Sequence, residues 1–383
     1  MLWLGKIGLK KTVLERKEYK ICFLRLLLKP VFPLQEVCRT GRIYVFIELL
    51  QNSLPHGIND YTRMKALVLK EPRSLGLCER NDPETGEDEA LVRVVCCSVC
   101  RTDAKMWQSG HRDLVMPRVL GHEISGYLDN ERVAVWPGIS CGSCAFCLAG
   151  RENLCASMQI LGFHHDGGFA EYVAVRRTSL LSVPDTLPME LAALAEPLGC
   201  ALHGLDRAGV RSGERVLIYG AGSLGLFLAL GAAERGAHPV VIEPDGRKLR
   251  KSHTFRDRFA IGSAETPSVV SGLFDAAFNA ASVPSTLDGL RKLRSGGRYC
   301  LFSGLQELPE SAASLFAGLH YRELQLLGSY GCTRASMASA LAMLERFGGD
   351  LAFMVERKLP IEQLEAAMPD VIGGKYFKMV VQF

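Results

Sequence analysis

From Met64 to about residue 175, hydrophobic and polar positions alternate in short runs separated by turn-forming residues. Met64-Lys65-Ala66-Leu67-Val68-Leu69 and Glu89-Ala90-Leu91-Val92-Arg93-Val94-Val95-Cys96 are rich in aliphatic and β-branched side chains, so each predicts a strand. Arg132-Val133-Ala134-Val135 and Phe169-Ala170-Glu171-Tyr172-Val173-Ala174-Val175 continue the series, with Gly and Pro between them. This texture predicts a β-rich, barrel-like domain that carries its chemistry on loops.

Near residue 198 the pattern becomes strand and helix in alternation. Arg215-Val216-Leu217-Ile218-Tyr219 is a continuous apolar run of the buried-strand kind. It leads through Gly220-Ala221-Gly222-Ser223-Leu224-Gly225 into a helical run with Leu224, Phe227, Leu228 and Ala232 on one face. Val240-Val241-Ile242, ending at Glu243, completes a βαβ opening. Ala276-Ala277-Phe278 and Arg298-Tyr299-Cys300-Leu301-Phe302 supply further strands, and such alternation predicts a parallel sheet. The fold class is therefore α/β, with a barrel-like part and a doubly wound part.

Composition adds limits. The chain has 383 residues, of which 48% are hydrophobic and 22% charged, which is ordinary globular usage and room for two domains. Residues 1–63 hold eleven Lys/Arg against five acids, a net of +6, so residues 64–383 carry −2 of the total +4. A balanced main body argues against a nucleic-acid partner. The apolar stretch from Ile21 is broken by Arg25, Lys29 and Pro30, well short of the roughly 20 residues a membrane span needs. Residues 1–63 read as a poorly ordered appendage or a start placed too far upstream. Thirteen cysteines, without a signal-peptide pattern, favour a reducing cytoplasm and make clustered cysteines metal ligands.

Two such groups fall between residues 100 and 155. Cys141, Cys144, Cys147 and Cys155 follow C-x2-C-x2-C-x7-C, a spacing that closes a structural tetrahedron around Zn²⁺. The iron–sulfur run C-x2-C-x2-C-x3-C-P differs at its fourth cysteine. Cys100, His122 and Glu123 are a thiolate, an imidazole and a carboxylate from separated segments, suited to a catalytic ion with an open position. Cys96, Cys97, Cys200 and Cys300 sit among apolar residues and read as small core residues.

The G-x-G-x-x-G run follows a strand, opens a helix, and has an acid 18 residues beyond Gly225. In that setting Gly220 makes the tight turn, Gly222 lets backbone approach a pyrophosphate, and Gly225 lets helix pack on strand. Ser223 and Leu224 begin the helix whose free N–H groups face the phosphates. Glu243 suits the adenosine ribose hydroxyls and disfavours a 2′-phosphate, pointing to NAD; Lys248 and Arg247 close by keep NADP open.

Residues 64–383 resemble the zinc-dependent medium-chain alcohol and polyol dehydrogenases of the sorbitol and threonine dehydrogenase branch. The matching features are Ser98-Val99-Cys100-Arg101-Thr102-Asp103, Leu120-Gly121-His122-Glu123, the four-cysteine lobe, Gly167-Gly168-Phe169-Ala170-Glu171-Tyr172, Glu196-Pro197-Leu198, the glycine fingerprint and Gly328-Ser329-Tyr330. The resemblance implies a GroES-like β-barrel catalytic domain at 64–197, a Rossmann NAD-binding domain at 198–327, and a return to the first at 328–383. It implies two zinc ions per chain, with Cys100 and His122 on the catalytic one and Glu123 or Glu196 as third ligand. Thr102 corresponds to the family's hydroxyl relay. Trp107, Phe163 and Tyr330 would line the substrate pocket, whereas His111, His164 and His165 read as surface or packed residues.

The implied reaction moves a hydride between NAD(P) and a secondary alcohol of a polyol, sugar derivative, amino alcohol or threonine-like compound, in a homodimer or homotetramer. The alternatives are a non-catalytic NAD(H) sensor of the same fold and a zinc-independent quinone or enoyl reductase. Two departures from the family stand out: Ala104 and Lys105 replace an outer relay histidine, and the hairpin at Gly126–Arg132 is short.

Overall fold

The computed structural model describes residues 63–281, 286–303 and 312–383. The expected extension lies outside them except for Arg63, which opens the first strand.

A parallel six-stranded sheet runs in the order Gly262–Ala264, His238–Ile242, Arg215–Tyr219, Phe274–Asn279, Leu293–Leu301, Gln325–Gly328. Strand order therefore reverses beside Arg215–Tyr219, which opens a crevice beyond its carboxyl end. Val216, Leu217, Ile218 and Tyr219 are all buried, as a central parallel strand covered on both faces requires. The helix Ser223–Glu234 is buried all round from Gly225 to Ala232 rather than along one face, because a second helix, Ala195–Ala208, covers its outer side. The expected strand at Arg298 begins earlier, at Leu293, and ends at Leu301.

Most of the remaining strands form a seven-stranded sheet built around Glu89–Ser98. One side of that strand pairs with Glu123–Leu128, which continues to Glu131–Val135 and Leu180–Ser182. The other side pairs with Tyr172–Arg176 along its first half and with Lys378–Gln382 along its second. Val355–Pro360 extends the sheet beyond Lys378–Gln382, so the end of the chain closes a sheet begun near residue 89. Ser98 is flanked by Glu123 on one side and Val380 on the other, a register that brings both neighbouring strands to the same end of the sheet. A smaller antiparallel sheet, Ser74–Asn81, Arg63–Glu71 and Arg118–Val119, packs beside it. The short hairpin turns at Asp129-Asn130, with Asp129 at φ 53°, at the end of Glu123–Leu128 opposite to His122.

The strand expected at Phe169 begins at Tyr172 instead. Gly167, Gly168 and Phe169 give their N–H groups to the carbonyls of Val119, Gly121 and Leu120, so this segment braces the loop before His122. Among the described residues, no helix is long and apolar enough to cross a membrane.

Gly225 tests the close approach of helix and strand, because a Cβ there would overlap the Gly220 carbonyl oxygen. Gly225→Ala is expected to lower the unfolding free energy by about 1–3 kcal/mol in urea titration. An unchanged midpoint would contradict the packing described.

Candidate functional site

Cys100 is the N-cap of the helix Arg101–Ser109. Its backbone N–H donates to Asp103 Oδ2 at 2.9 Å, and its Sγ accepts from Thr102 N–H at 3.5 Å, a capping box with a thiol in the serine place. Asp103 is fully buried, and its other oxygen accepts from Gly121 N–H at 3.2 Å. The same oxygen lies 3.3 Å from His122 Nδ1, although the ring N–H is not aligned on it and Nδ1 has no hydrogen-bond partner. With Nδ1 turned to Asp103, Nε2 is left for the Cys100 side. Burial pulls the imidazole pKa down, but the charge and contact of Asp103, followed by Cys100, outweigh it and hold the group well above its ordinary value.

Glu123 follows directly and is fully buried. Both of its oxygens accept from Lys378 Nζ at 2.6 Å, and the lysine is itself 6% exposed. Burial lowers the lysine pKa, but Glu123 opposes it strongly enough to leave it raised. The donor atoms of Cys100, His122 and Glu123 all lie within 4.8 Å of one another. Phe163 covers the group, its ring 5.5 Å from that of His122.

Glu196 stands in the first turn of Ala195–Ala208, buried, and groups with Cys200 and Cys332 instead. The Cys200 thiol donates to Glu196 Oε1 at 3.2 Å. Burial pushes the carboxyl up; His122 opposes this, Glu123 adds to it, and Lys378 opposes it, so Glu196 senses the first group from outside. Cys200 therefore departs from the core reading, whereas Cys96, Cys97 and Cys300 are core residues.

The four lobe cysteines also fall within 4.8 Å of one another, with Cys141 Sγ to Cys147 Sγ at 3.8 Å and Cys144 Sγ to Cys147 Sγ at 3.5 Å. Backbone N–H groups of Ser143 and Cys144 lower the Cys141 thiol to about 6. The loop thus turns backbone N–H groups onto the Cys141 sulfur, as a bound thiolate would need.

In the parallel sheet, Gly220 sits at φ 105°, and a Cβ added at Gly222 would meet nothing within 4 Å, so open space lies over the helix start. No side chain caps Ser223–Glu234, leaving its first N–H groups free; Ser223 and Leu224 are half-buried there. Glu243 Oε2 accepts from Ala221 N–H and Oε1 from Asp245 N–H, both at 3.0 Å. The carboxylate that was expected to face a ribose thus also fastens the glycine loop. Lys248 Nζ is 3.9 Å from Glu243, Arg247 is held by Asp245, and Lys251 by Glu356.

Of the expected pocket residues, Phe163 touches the group, Trp107 packs against the barrel core, and Tyr330 is 52% exposed. His164 Nδ1 accepts from Ile160 N–H, His165 pairs with Gln159, and His111 lies edge-on to Phe163. Two functional side chains carried no assigned role in the sequence reading. Asp103 was visible only as part of a motif, and Lys378 is a lone cation in the apolar strand Lys378–Gln382, which signals a buried acid opposite.

Residues 86–185 match the alcohol dehydrogenase GroES-like domain. That barrel, joined to a Rossmann-type parallel sheet, defines the class as a two-part dehydrogenase. D-altritol 5-dehydrogenase of Agrobacterium fabrum is 31% identical over 318 residues, covering 79% of this chain and 94% of the relative. L-galactonate-5-dehydrogenase of Escherichia coli K12 is 35% identical over 349 residues, covering 84% and 99%. A protein of Sinorhizobium meliloti 1021, assigned as a zinc-binding dehydrogenase and solved with NADP bound, superposes with TM-score 0.75 at 28% identity, covering 84% of this chain and 100% of the other. The chain belongs to the zinc-type, medium-chain alcohol and polyol dehydrogenase family.

The Glu123–Lys378 pair generates a stability prediction. Lys378→Met strands a buried carboxylate and is expected to cost about 3–5 kcal/mol in chemical unfolding, with Glu123→Gln added to it restoring most of the loss. Equal and additive losses would mean that the two side chains do not depend on each other.

Proposed function

We propose that the chain oxidises a secondary alcohol of a polyol or sugar acid, and reduces the matching carbonyl, with NAD as hydride carrier. The observation that carries this reading is the convergence of Cys100, His122 and Glu123 on one point, backed by a buried aspartate and a buried lysine. The donor set fits Zn²⁺ with one side open. Zn²⁺ held there supplies Lewis acidity that lowers the pKa of a substrate hydroxyl, and NAD supplies the hydride acceptor.

This chain's own residues do the rest. The Thr102 N–H fixes the Cys100 sulfur at the helix start, Asp103 orients His122, and Lys378 holds Glu123 in line. We take Glu123 as the third ligand, because Glu196 groups with Cys200 and Cys332; Glu196 then faces the open side as a carboxylate able to accept a proton. Thr102, half-buried at the helix start, is the hydroxyl that passes the substrate proton outward. Phe163 keeps water from the imidazole side. Gly220, Gly222 and Gly225 with Ser223 and Leu224 form the pyrophosphate cradle, and Glu243 receives the ribose hydroxyls. NAD is favoured over NADP since Arg247, Lys248 and Lys251 are each already paired with an acid, Lys248 with Glu243 itself. Cys141, Cys144, Cys147 and Cys155 hold the second, structural ion.

The same reading divides the chain at 64–197, 198–327 and 328–383. The described cysteines are all free thiols, which suits the reducing cytoplasm. Gln325–Gly328 is an outer strand with Leu326 exposed, an edge that favours assembly into a dimer or tetramer.

The test is Cys100→Ser, assayed for NADH formation on alditols and aldonates and for NADH binding by fluorescence. Turnover is expected to vanish and bound metal to fall from about two to about one per chain, with NADH affinity unchanged. Retained turnover, or loss of NADH binding alongside it, would contradict the assignment.

A further inference from the structure

We propose that Glu196, Cys200 and Cys332 form an additional soft-cation site that takes a thiophilic divalent ion such as Zn²⁺ or Cd²⁺. Glu196 and Cys200 are four residues apart in the helix Ala195–Ala208, so both project from one face. Cys332 comes from a different element. It follows Gly331, at φ 60°, and precedes Thr333, the N-cap of the helix Arg334–Leu351. Its carbonyl accepts from the Trp136 indole N–H at 3.0 Å, which holds the backbone there in place.

The three donor atoms lie within 4.8 Å of one another. Sulfurs bound to one tetrahedral Zn²⁺, at about 2.3 Å each, sit about 3.8 Å apart. A closing movement of an ångström or less therefore makes the site, and the lobe cysteines already stand at 3.5–3.8 Å. Were Cys200 and Cys332 only filling space, a methyl-sized apolar side chain would serve as well, yet the Cys200 thiol bonds to the buried carboxylate and Cys332 stands within reach of both. Glu196 and Cys332 are buried while Cys200 is half-buried, which leaves a way in. On binding, both thiols release their protons to solvent and the fourth coordination position goes to water.

Glu196 belongs to this group alone and acts on the first only through charge. An ion held by Cys200 and Cys332 would occupy the carboxylate that the proposed reaction needs as proton acceptor, so excess zinc would inhibit. The site itself stands on these three side chains, and only the inhibition rests on the proposed dehydrogenase reading.

The test is zinc counting on the full chain, kept under a thiol-free reductant and dialysed against excess Zn²⁺, with Cys332→Ala and Cys200→Ala as variants on separate elements. The wild type is expected to hold about one equivalent more than either variant, and the Zn²⁺ concentration that halves its activity should rise by more than about tenfold in Cys332→Ala. An equal count in the wild type and both variants would overturn the proposal. Should the two-ion reading itself fail, all three proteins would start from a different baseline, while the difference of one would remain.

Discussion

The buried Asp103 carboxylate joins two segments that are otherwise held apart by 18 residues of chain. One oxygen takes the Cys100 N–H and the other takes the Gly121 N–H while facing His122. A buried, charged carboxylate is costly unless its lone pairs are filled, so its retention here ties the helix start and the strand entry into one unit. Cys100 and His122 then have little freedom to separate. The segment at 167–169 locks the same loop from behind through backbone hydrogen bonds, an approach so close that a Cβ on Gly167 would overlap the Gly121 carbonyl and one on Gly168 the Ile124 side chain.

The second constraint comes from the far end of the chain. The strand Lys378–Gln382 pairs with Glu89–Ser98 and carries Lys378 to Glu123, 255 residues away in sequence. Closing so long a loop costs little more than closing a short one. The barrel face is thus finished only when the last residues dock, which makes site geometry and complete folding one event. Hydrogen bonds and charge rather than apolar contact set the positions of the donors; the apolar cores on either side supply the burial that makes those contacts strong.

Much of this was legible in the sequence where the signal is local. Arg215–Tyr219 begins and ends as read, because an uninterrupted apolar run followed by glycines has few other uses. The convergence of the lobe cysteines was readable for the same reason, as all four fall within one short loop. The strand expected at Phe169 starts three residues late because Gly167 to Phe169 bond to Val119, Leu120 and Gly121 while Ala170 makes only an isolated bridge to Ala66, and only tertiary contact decides that. Leu293–Leu301 began early because its neighbour Phe274–Asn279 extends the pairing across a bulge. Lys378 with Glu123, and Cys332 with Glu196, were illegible because pairs from distant elements leave no spacing to read. Glu243 was placed correctly beside the glycine loop, but its two backbone hydrogen bonds are a matter of rotamer rather than of sequence.

The most direct test of the central claim is an anomalous-scattering map at the zinc edge, from crystals grown with Zn²⁺ and NADH. The account predicts a peak about 2.3 Å from Cys100 Sγ and about 2.0–2.1 Å from the His122 ring nitrogen that faces away from Asp103, with one side free of protein ligands. A map with density in the cysteine lobe alone, and the side chains of Cys100 and His122 turned apart, would contradict it.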